Sequence, residues 1–189
     1  MRKAIAKDCE ARIADLDIAL NTGMRQGEQY GLGWTDVDLV ARRITLRRTK
    51  NGSVRHISLN QTAWSAFQSL WEKSTWEGRV FINANGADPL LNPRYWWDAV
   101  VAEAKIADFH WHDLRHTFAS RCIMGGVDLR TLQQLLGHKT LQMAVRYAHL
   151  SQSHELAAVE RLCETREATG TRTGTSPEVP SDAEEARPN

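Results

Sequence analysis

The chain carries an ordered series of basic side chains followed by one tyrosine, a set that suits chemistry on a phosphate group. The series, in chain order, is Arg25, Lys50, His112, Arg115, His138 and Tyr147. Transfer of a phosphodiester without a metal needs cations beside the non-bridging oxygens, a nucleophile, and a proton donor for the leaving oxygen. Arginines and histidines can supply the charge, lysine can supply the proton, and the tyrosine hydroxyl can attack.

Local sequence places two of these residues at helix starts. Arg25 follows a glycine turn at the predicted start of a helix, where its guanidinium can bind a phosphate with two hydrogen bonds and Glu28 can support it. Arg115 is predicted in the first turn of another helix, three residues after His112. Free backbone N–H groups and the positive end of the helix dipole favour an anion there.

Each residue taken alone has a more ordinary explanation. Arg25 can be a local partner of Glu28, His138 a buried helix-cap histidine, Tyr147 a half-buried core tyrosine, and Lys50 a solvated residue at a hairpin tip. The combination in one order favours a phosphate site.

A histidine cluster offers a second chemistry. His112 and His116 are one helical turn apart, next to His110, and this spacing can bind zinc. No glutamate stands between them in HExxH order, and Arg115 would place a fixed charge beside the ion. Metal binding is therefore the weaker interpretation.

The elements that must position these residues are mainly helical, with one run of strand patterns. Apolar spacing and capping residues predict helices at 9–21, 25–32, 62–71, 94–105, 113–125, 128–136, from 140 onward, and at 153–164. Alternation predicts strands at 36–39, 43–47 and 54–59, the last two joined by an Asn-Gly turn. The predicted fold class is mainly α with a small three-stranded antiparallel sheet, an α+β fold. Five tryptophans are predicted in apolar helical surroundings as core residues, namely Trp34, Trp64, Trp71, Trp96 and Trp97.

Composition excludes several classes of protein. With 189 residues and 42% hydrophobic side chains, the chain can hold one domain with a real core. It has no apolar run of about 18 residues, and its first residues do not match a signal peptide. Its three scattered cysteines indicate reduced thiols without disulfides or zinc. A cytoplasmic protein without a membrane partner is expected.

Charge is unevenly distributed behind a net value of +1. Residues 166–189 are acidic on balance and poor in large apolar side chains, which predicts a disordered tail after a domain at 1–165. Residues 41–55 hold six basic side chains and no acid. A backbone-contacting surface and a solvated strand face explain this stripe equally well. Its candidates for DNA contact are Arg47, Arg48 and Arg55.

Five short motifs together resemble one known family. They are TGMRxGE at 22–28, RTKNG at 48–52, HDLRHTFAS at 112–120, LLGH at 135–138 and RYAHL at 146–150. In this order they resemble the catalytic domain of tyrosine recombinases, the phage-integrase family of DNA strand-exchange enzymes, over about residues 12–162. The resemblance implies that family's catalytic-domain architecture and action on double-stranded DNA without metal, ATP or another cofactor.

The resemblance also implies a role for each residue of the series. Tyr147 would attack a scissile phosphate, giving a 3′-phosphotyrosyl bond and a free 5′-hydroxyl. Lys50 would protonate the leaving oxygen, and His112 would assist proton transfer from Tyr147. The residues that would hold the phosphate are Arg25, Arg115 and His138.

The resemblance leaves three functions to distinguish. The first is a phage or mobile-element integrase that acts as a homo-oligomer, expected to be a tetramer, on DNA. The second is a non-catalytic DNA-binding or regulatory remnant that pairs with a full-length recombinase, because the family's N-terminal core-binding domain is expected to be absent. The third is a type IB topoisomerase, which shares the constellation but has larger DNA-encircling regions.

Overall fold

The structure is a computed structural model that describes residues 12–47, 54–74, 77–83, 89–90, 92–150 and 159. Its helices are α1 (Ile13–Thr22), α2 (Gln26–Tyr30), α3 (Gln61–Glu72), α4 (Arg94–Glu103), α5 (Trp111–Met124), α6 (Leu129–Leu136) and α7 (Gln142–Val145). Its strands are β1 (Val37–Asp38), β2 (Arg43–Leu46) and β3 (Arg55–Ser58). These elements belong to one compact unit. The predicted class, mainly helical with a small sheet, is confirmed.

The three strands form one antiparallel sheet in the order β1-β2-β3. Ile44 pairs with Ile57, and Leu46 pairs with Arg55. These four side chains are buried, because alternation places them on the face that packs against the core. The turn that joins β2 to β3, with Arg48 and Lys50, lies outside the described residues.

Side-chain capping decides where two helices begin. The Asn60 side chain accepts a hydrogen bond from the Ala63 N–H at 3.0 Å, so α3 starts at Gln61, one residue before the helix predicted at 62–71. The Asp113 carboxylate accepts the His110 N–H at 2.7 Å, so α5 starts two residues earlier than predicted. Arg115 therefore lies in the second turn of α5, not in the first.

The last described helix begins later than predicted. Its N-cap position is Leu141, not Thr140, and no side chain caps it. Since α7 ends at Val145, Tyr147 lies in the turn that follows the helix.

Helix α5 belongs to two hydrophobic clusters. Its first part contributes Trp111 and Leu114 to the main core, which includes the sheet and α1. Its second part contributes Ala119 and Ile123 to a cluster with α6, α7 and Tyr147. Packing in both clusters thus holds α5 in place.

The tryptophans pack as predicted, as core residues. Trp34 and Trp97 are buried, and Trp64, Trp71 and Trp96 are partly buried against the main core.

The C-terminal predictions fall largely outside the described residues. The helix at 153–164 is described only at Val159, and the tail at 166–189 is not described. Among the described helices, none has the length and apolar character required to cross a membrane.

Candidate active site

Most of the predicted series meets in one cavity of about 330 Å³. The cavity is lined by Arg25, His112, Arg115, His116, His138, Gln142, Met143, Arg146 and Tyr147. The structure thus brings together five of the six residues singled out from the sequence. The sixth, Lys50, lies outside the described residues.

Arg25 is held at the start of α2 by Glu28. Its Nη1 donates to Glu28 Oε1 at 2.7 Å, and its backbone N–H donates to Glu28 Oε2 at 2.9 Å. The predicted support of Arg25 by Glu28 is therefore present. The side chain of Arg25 keeps 28% of its surface exposed, so its guanidinium can still reach an anion in the cavity.

Arg55 lies behind Arg25 and faces inward. Its Nη2 donates to Glu28 Oε2 and its Nη1 donates to the Leu135 carbonyl, each at 2.7 Å. Only 8% of the side chain is exposed, and burial lowers the pKa of the guanidinium. Arg55 therefore has a supporting position instead of the surface position predicted for a DNA contact. Arg47 does lie on the surface, at 67% exposure, with its Nε 3.4 Å from Asp36 Oδ1.

Arg115 is the most enclosed cation of the cavity. Its Nη1 donates to the Gly23 carbonyl and its Nη2 to the Leu136 carbonyl, each at 2.6 Å. Burial, and then the charges of Arg25 and Arg55, lower its pKa to about 10, so it remains charged at neutral pH. Both acceptors are neutral, so the positive charge of Arg115 remains available to an anion.

His138 lines the cavity and directly follows Gly137, which has a left-handed backbone conformation. Gly137 has φ +63°, and a Cβ there would stand 2.7 Å from Arg55 Cδ. The imidazole Nδ1 of His138 is buried and has no hydrogen-bond partner among the described residues. Burial, and then Arg115 and Arg25, lower the pKa of His138 to about 4. Its ring is therefore neutral at pH 7.

Tyr147 points its hydroxyl into the cavity from a buried ring. The hydroxyl oxygen lies 2.5 Å from His116 Nδ1. Burial raises the pKa of the phenol, and Arg146 and Arg115 partly offset this effect. The hydroxyl is therefore protonated at neutral pH and needs a proton acceptor before it can attack.

His116 also lines this cavity, whereas the sequence predicts it only as a potential metal ligand. Its ring stands edge-on to His112, with 5.0 Å between centroids. The i, i+4 spacing of the two histidines was the available signal, because it places both on one face of α5. His112 is exposed, and burial of part of its ring lowers its pKa, with smaller effects from His116 and Arg115.

The metal alternative has no matching cluster in the described part of the chain. No group of three or more histidine, cysteine, aspartate or glutamate side chains is arranged there to hold an ion.

Sequence comparison assigns the chain to known relatives. The sequence model of the phage integrase family matches residues 2–154. The tyrosine recombinase XerC of Pediococcus pentosaceus is 32% identical over 156 residues, which cover 74% of this chain and 50% of the relative. The integrase of Salmonella phage P22 is 29% identical over 169 residues, covering 80% and 43% of the two chains. The chain thus spans about half the length of these relatives.

Solved structures share the fold. The catalytic domain of bacteriophage HP1 integrase superposes with a TM-score of 0.62 at 29% identity, covering 78% of this chain and 79% of that one. The XerA recombinase superposes with a TM-score of 0.66 at 26% identity, covering 87% and 61%.

Proposed function

We propose, from the premise that this chain belongs to the phage integrase family of tyrosine recombinases, that it breaks and rejoins DNA through a covalent bond to Tyr147. One observation carries the proposal. The hydroxyl of Tyr147 shares a single cavity with the guanidinium groups of Arg25 and Arg115 and with the imidazole of His138. These groups are a nucleophile and three donors suited to the oxygens of one phosphate.

The donors fit the charge that develops during phosphoryl transfer. Arg115 and Arg25 are fixed by hydrogen bonds before any substrate binds, so little reorganisation accompanies the reaction. His138 lines the same cavity, and its imidazole can add a further hydrogen bond. Pre-organised donors of this kind stabilise the transition state more than the ground state.

The proposed reaction conserves the energy of the phosphodiester. The Tyr147 oxygen forms a bond to phosphorus while the bond to the 5′ oxygen breaks, which leaves a 3′-phosphotyrosyl link. Lys50 would protonate the leaving oxygen, and His112 would assist removal of the tyrosine proton. A partner 5′-hydroxyl can then reverse the step, which permits strand exchange.

The proposal also covers the metal requirement, the partner and the cellular compartment. The charge is supplied by side chains, so no metal is required. The partner is double-stranded DNA on which the chain assembles as a tetramer, with Arg47 and Arg48 contacting the backbone. Since the relatives come from bacteria and a phage, the proposed compartment is the bacterial cytoplasm.

Covalent trapping tests the function. A suicide oligonucleotide with a 5′-bridging phosphorothiolate should form a denaturant-stable adduct with the wild-type chain, in excess EDTA as well as without it. Tyr147→Phe removes only the hydroxyl, so the adduct should be lost while non-covalent DNA binding persists. Tyr95→Phe is the matched control, because Tyr95 is 88% exposed on α4 and should leave adduct formation unchanged. An adduct with Tyr147→Phe, or a need for added metal, would contradict the proposal.

A second candidate is a non-catalytic DNA-binding partner of a full-length recombinase. It predicts DNA binding without any adduct in the same assay.

A further inference from the structure

We propose that His116 is the proton acceptor for the Tyr147 hydroxyl, and hence a catalytic residue of the reaction. This inference rests on the proposed function and deepens it. The histidine that the family resemblance suggested for this role was His112, one helical turn away on α5.

Geometry favours His116 over His112. The Nδ1 atom of His116 is 2.5 Å from the Tyr147 hydroxyl, which is a short hydrogen bond between a phenol and an imidazole. A general base must lie within hydrogen-bond reach of the proton that it removes. His112 contacts the His116 ring edge-on, so its influence on the tyrosine proton would pass through His116.

The arrangement fixes both partners before substrate binds. His116 is half-buried on α5, which is held in two hydrophobic clusters. The ring of Tyr147 is packed in the second of these clusters with Ala119 and Leu136. The hydrogen bond therefore joins two positions that packing already holds near each other, so orientation adds little cost at the moment of attack.

The proton and electron pairs balance in one step. For this step the ring proton of His116 must sit on Nε2, so that Nδ1 can accept the hydrogen bond from the hydroxyl. As the phenolic O–H bond breaks, the proton passes to Nδ1 and the oxygen uses its electron pair to bond phosphorus. The bond from phosphorus to the 5′ oxygen breaks, and that oxygen takes a proton from a separate donor. In the reverse reaction the imidazolium returns its proton to the tyrosine oxygen.

The charged groups around His116 are mainly positive. The titratable and charged groups that share its cavity are Arg25, His112, Arg115, His138, Arg146 and Tyr147. None of these is a carboxylate, so the imidazolium form has no carboxylate counter-ion among them before the DNA phosphate enters. The phosphate therefore favours the proton transfer that its own attack requires.

Substitution by asparagine separates a base from a mere hydrogen-bond partner. The amide of His116→Asn can still accept from the tyrosine hydroxyl, but it cannot take up the proton. If His116 is the base, the rate of adduct formation on the phosphorothiolate oligonucleotide falls by about 100-fold or more. The limb of the rate profile that rises with pH is lost as well. The activated leaving group does not restore the rate, because the defect lies with the nucleophile.

Two further proteins complete the experiment. His116→Ala should regain adduct formation when imidazole is added, which tests the chemistry even if the asparagine variant folds poorly. His110→Asn is the matched control at the N-cap of the same helix, where the histidine side chain is 82% exposed, and it should behave as wild type. Circular dichroism verifies folding in each case.

Three results would overturn the assignment. His116→Asn could react within about threefold of the wild-type rate, or its rate could still rise with pH. Alternatively, His116→Ala could react faster than wild type in the absence of imidazole. The last result would show that the hydrogen bond restrains the tyrosine. If the wild-type chain forms no adduct, the proposed function fails together with the role of His116. If the wild type reacts and His116→Asn reacts equally well, only the proposed role of His116 fails.

Discussion

Arg55→Met is expected to destabilise the folded chain strongly, whereas Arg47→Met should barely change its stability. Both arginines belong to the same hairpin, and the substitution is identical, so the comparison isolates the environment. Arg55 and its partner Glu28 are 8% and 7% exposed, with 2.7 Å between Nη2 and Oε2. Arg47 and its partner Asp36 are 67% and 23% exposed, with 3.4 Å between Nε and Oδ1.

The magnitudes follow from desolvation. Removing Arg55 leaves Glu28 Oε2 and the Leu135 carbonyl without their donor in a buried place, and loss of one partner of a buried pair costs about 3–5 kcal/mol. Glu28 keeps its two hydrogen bonds from Arg25, so the lower end, about 3 kcal/mol, is expected. The exposed Arg47 pair is screened by solvent, and its loss should cost about 0–1 kcal/mol.

Urea denaturation of the two variants measures these free energies of unfolding. DNA titration at several salt concentrations should show the reverse order, with the larger effect for Arg47→Met. If Arg47 contacts a phosphate, its loss lowers the slope of log affinity against log salt by about 1. Loss of Arg55 should leave that slope unchanged in the folded fraction. Equal destabilisation by both variants, or a cost below about 1 kcal/mol for Arg55→Met, would refute the inward, supporting role of Arg55.

Two further predictions concern buried and strained positions. Burial raises the pKa of Asp15 from 3.8 to about 6, so this carboxyl favours folding when protonated and that contribution is lost as pH rises from about 4 to 6. At about 1.4 kcal/mol per pKa unit, the stability of Asp15→Asn relative to wild type should rise by about 3 kcal/mol over that interval, and parallel pH curves from urea denaturation would contradict this. Gly137→Ala should cost about 1–2 kcal/mol for the left-handed backbone, and more from the clash with Arg55. Gly27→Ala, in helix α2 with nothing within 4 Å of the new Cβ, should be neutral or stabilising. Equal thermal midpoints for the two alanine variants would argue against strain at Gly137.

Short-range signals in the sequence were sufficient for the elements and for part of the site. The support of Arg25 by Glu28 joins residues three positions apart, which a helix start brings together whatever surrounds it. Gly137 ends α6 in the left-handed conformation typical of a glycine that terminates a helix, and alternation in β2 and β3 predicts their pairing. These features depend on neighbours along the chain, so a single sequence carries them.

The contacts of the predicted residues depend on the tertiary structure. Alternation shows that Arg55 shares a strand face with Ile57. That face can bury a cation only because Glu28 and Leu135, which lie 27 and 80 positions away in the sequence, accept its hydrogen bonds. His116 meets the Tyr147 hydroxyl across 31 positions, after α6 and α7 fold the chain back onto α5. No periodicity encodes such distances. Residue types and their order around the candidate site follow from the sequence alone, whereas packing between distant helices selects which histidine contacts the tyrosine.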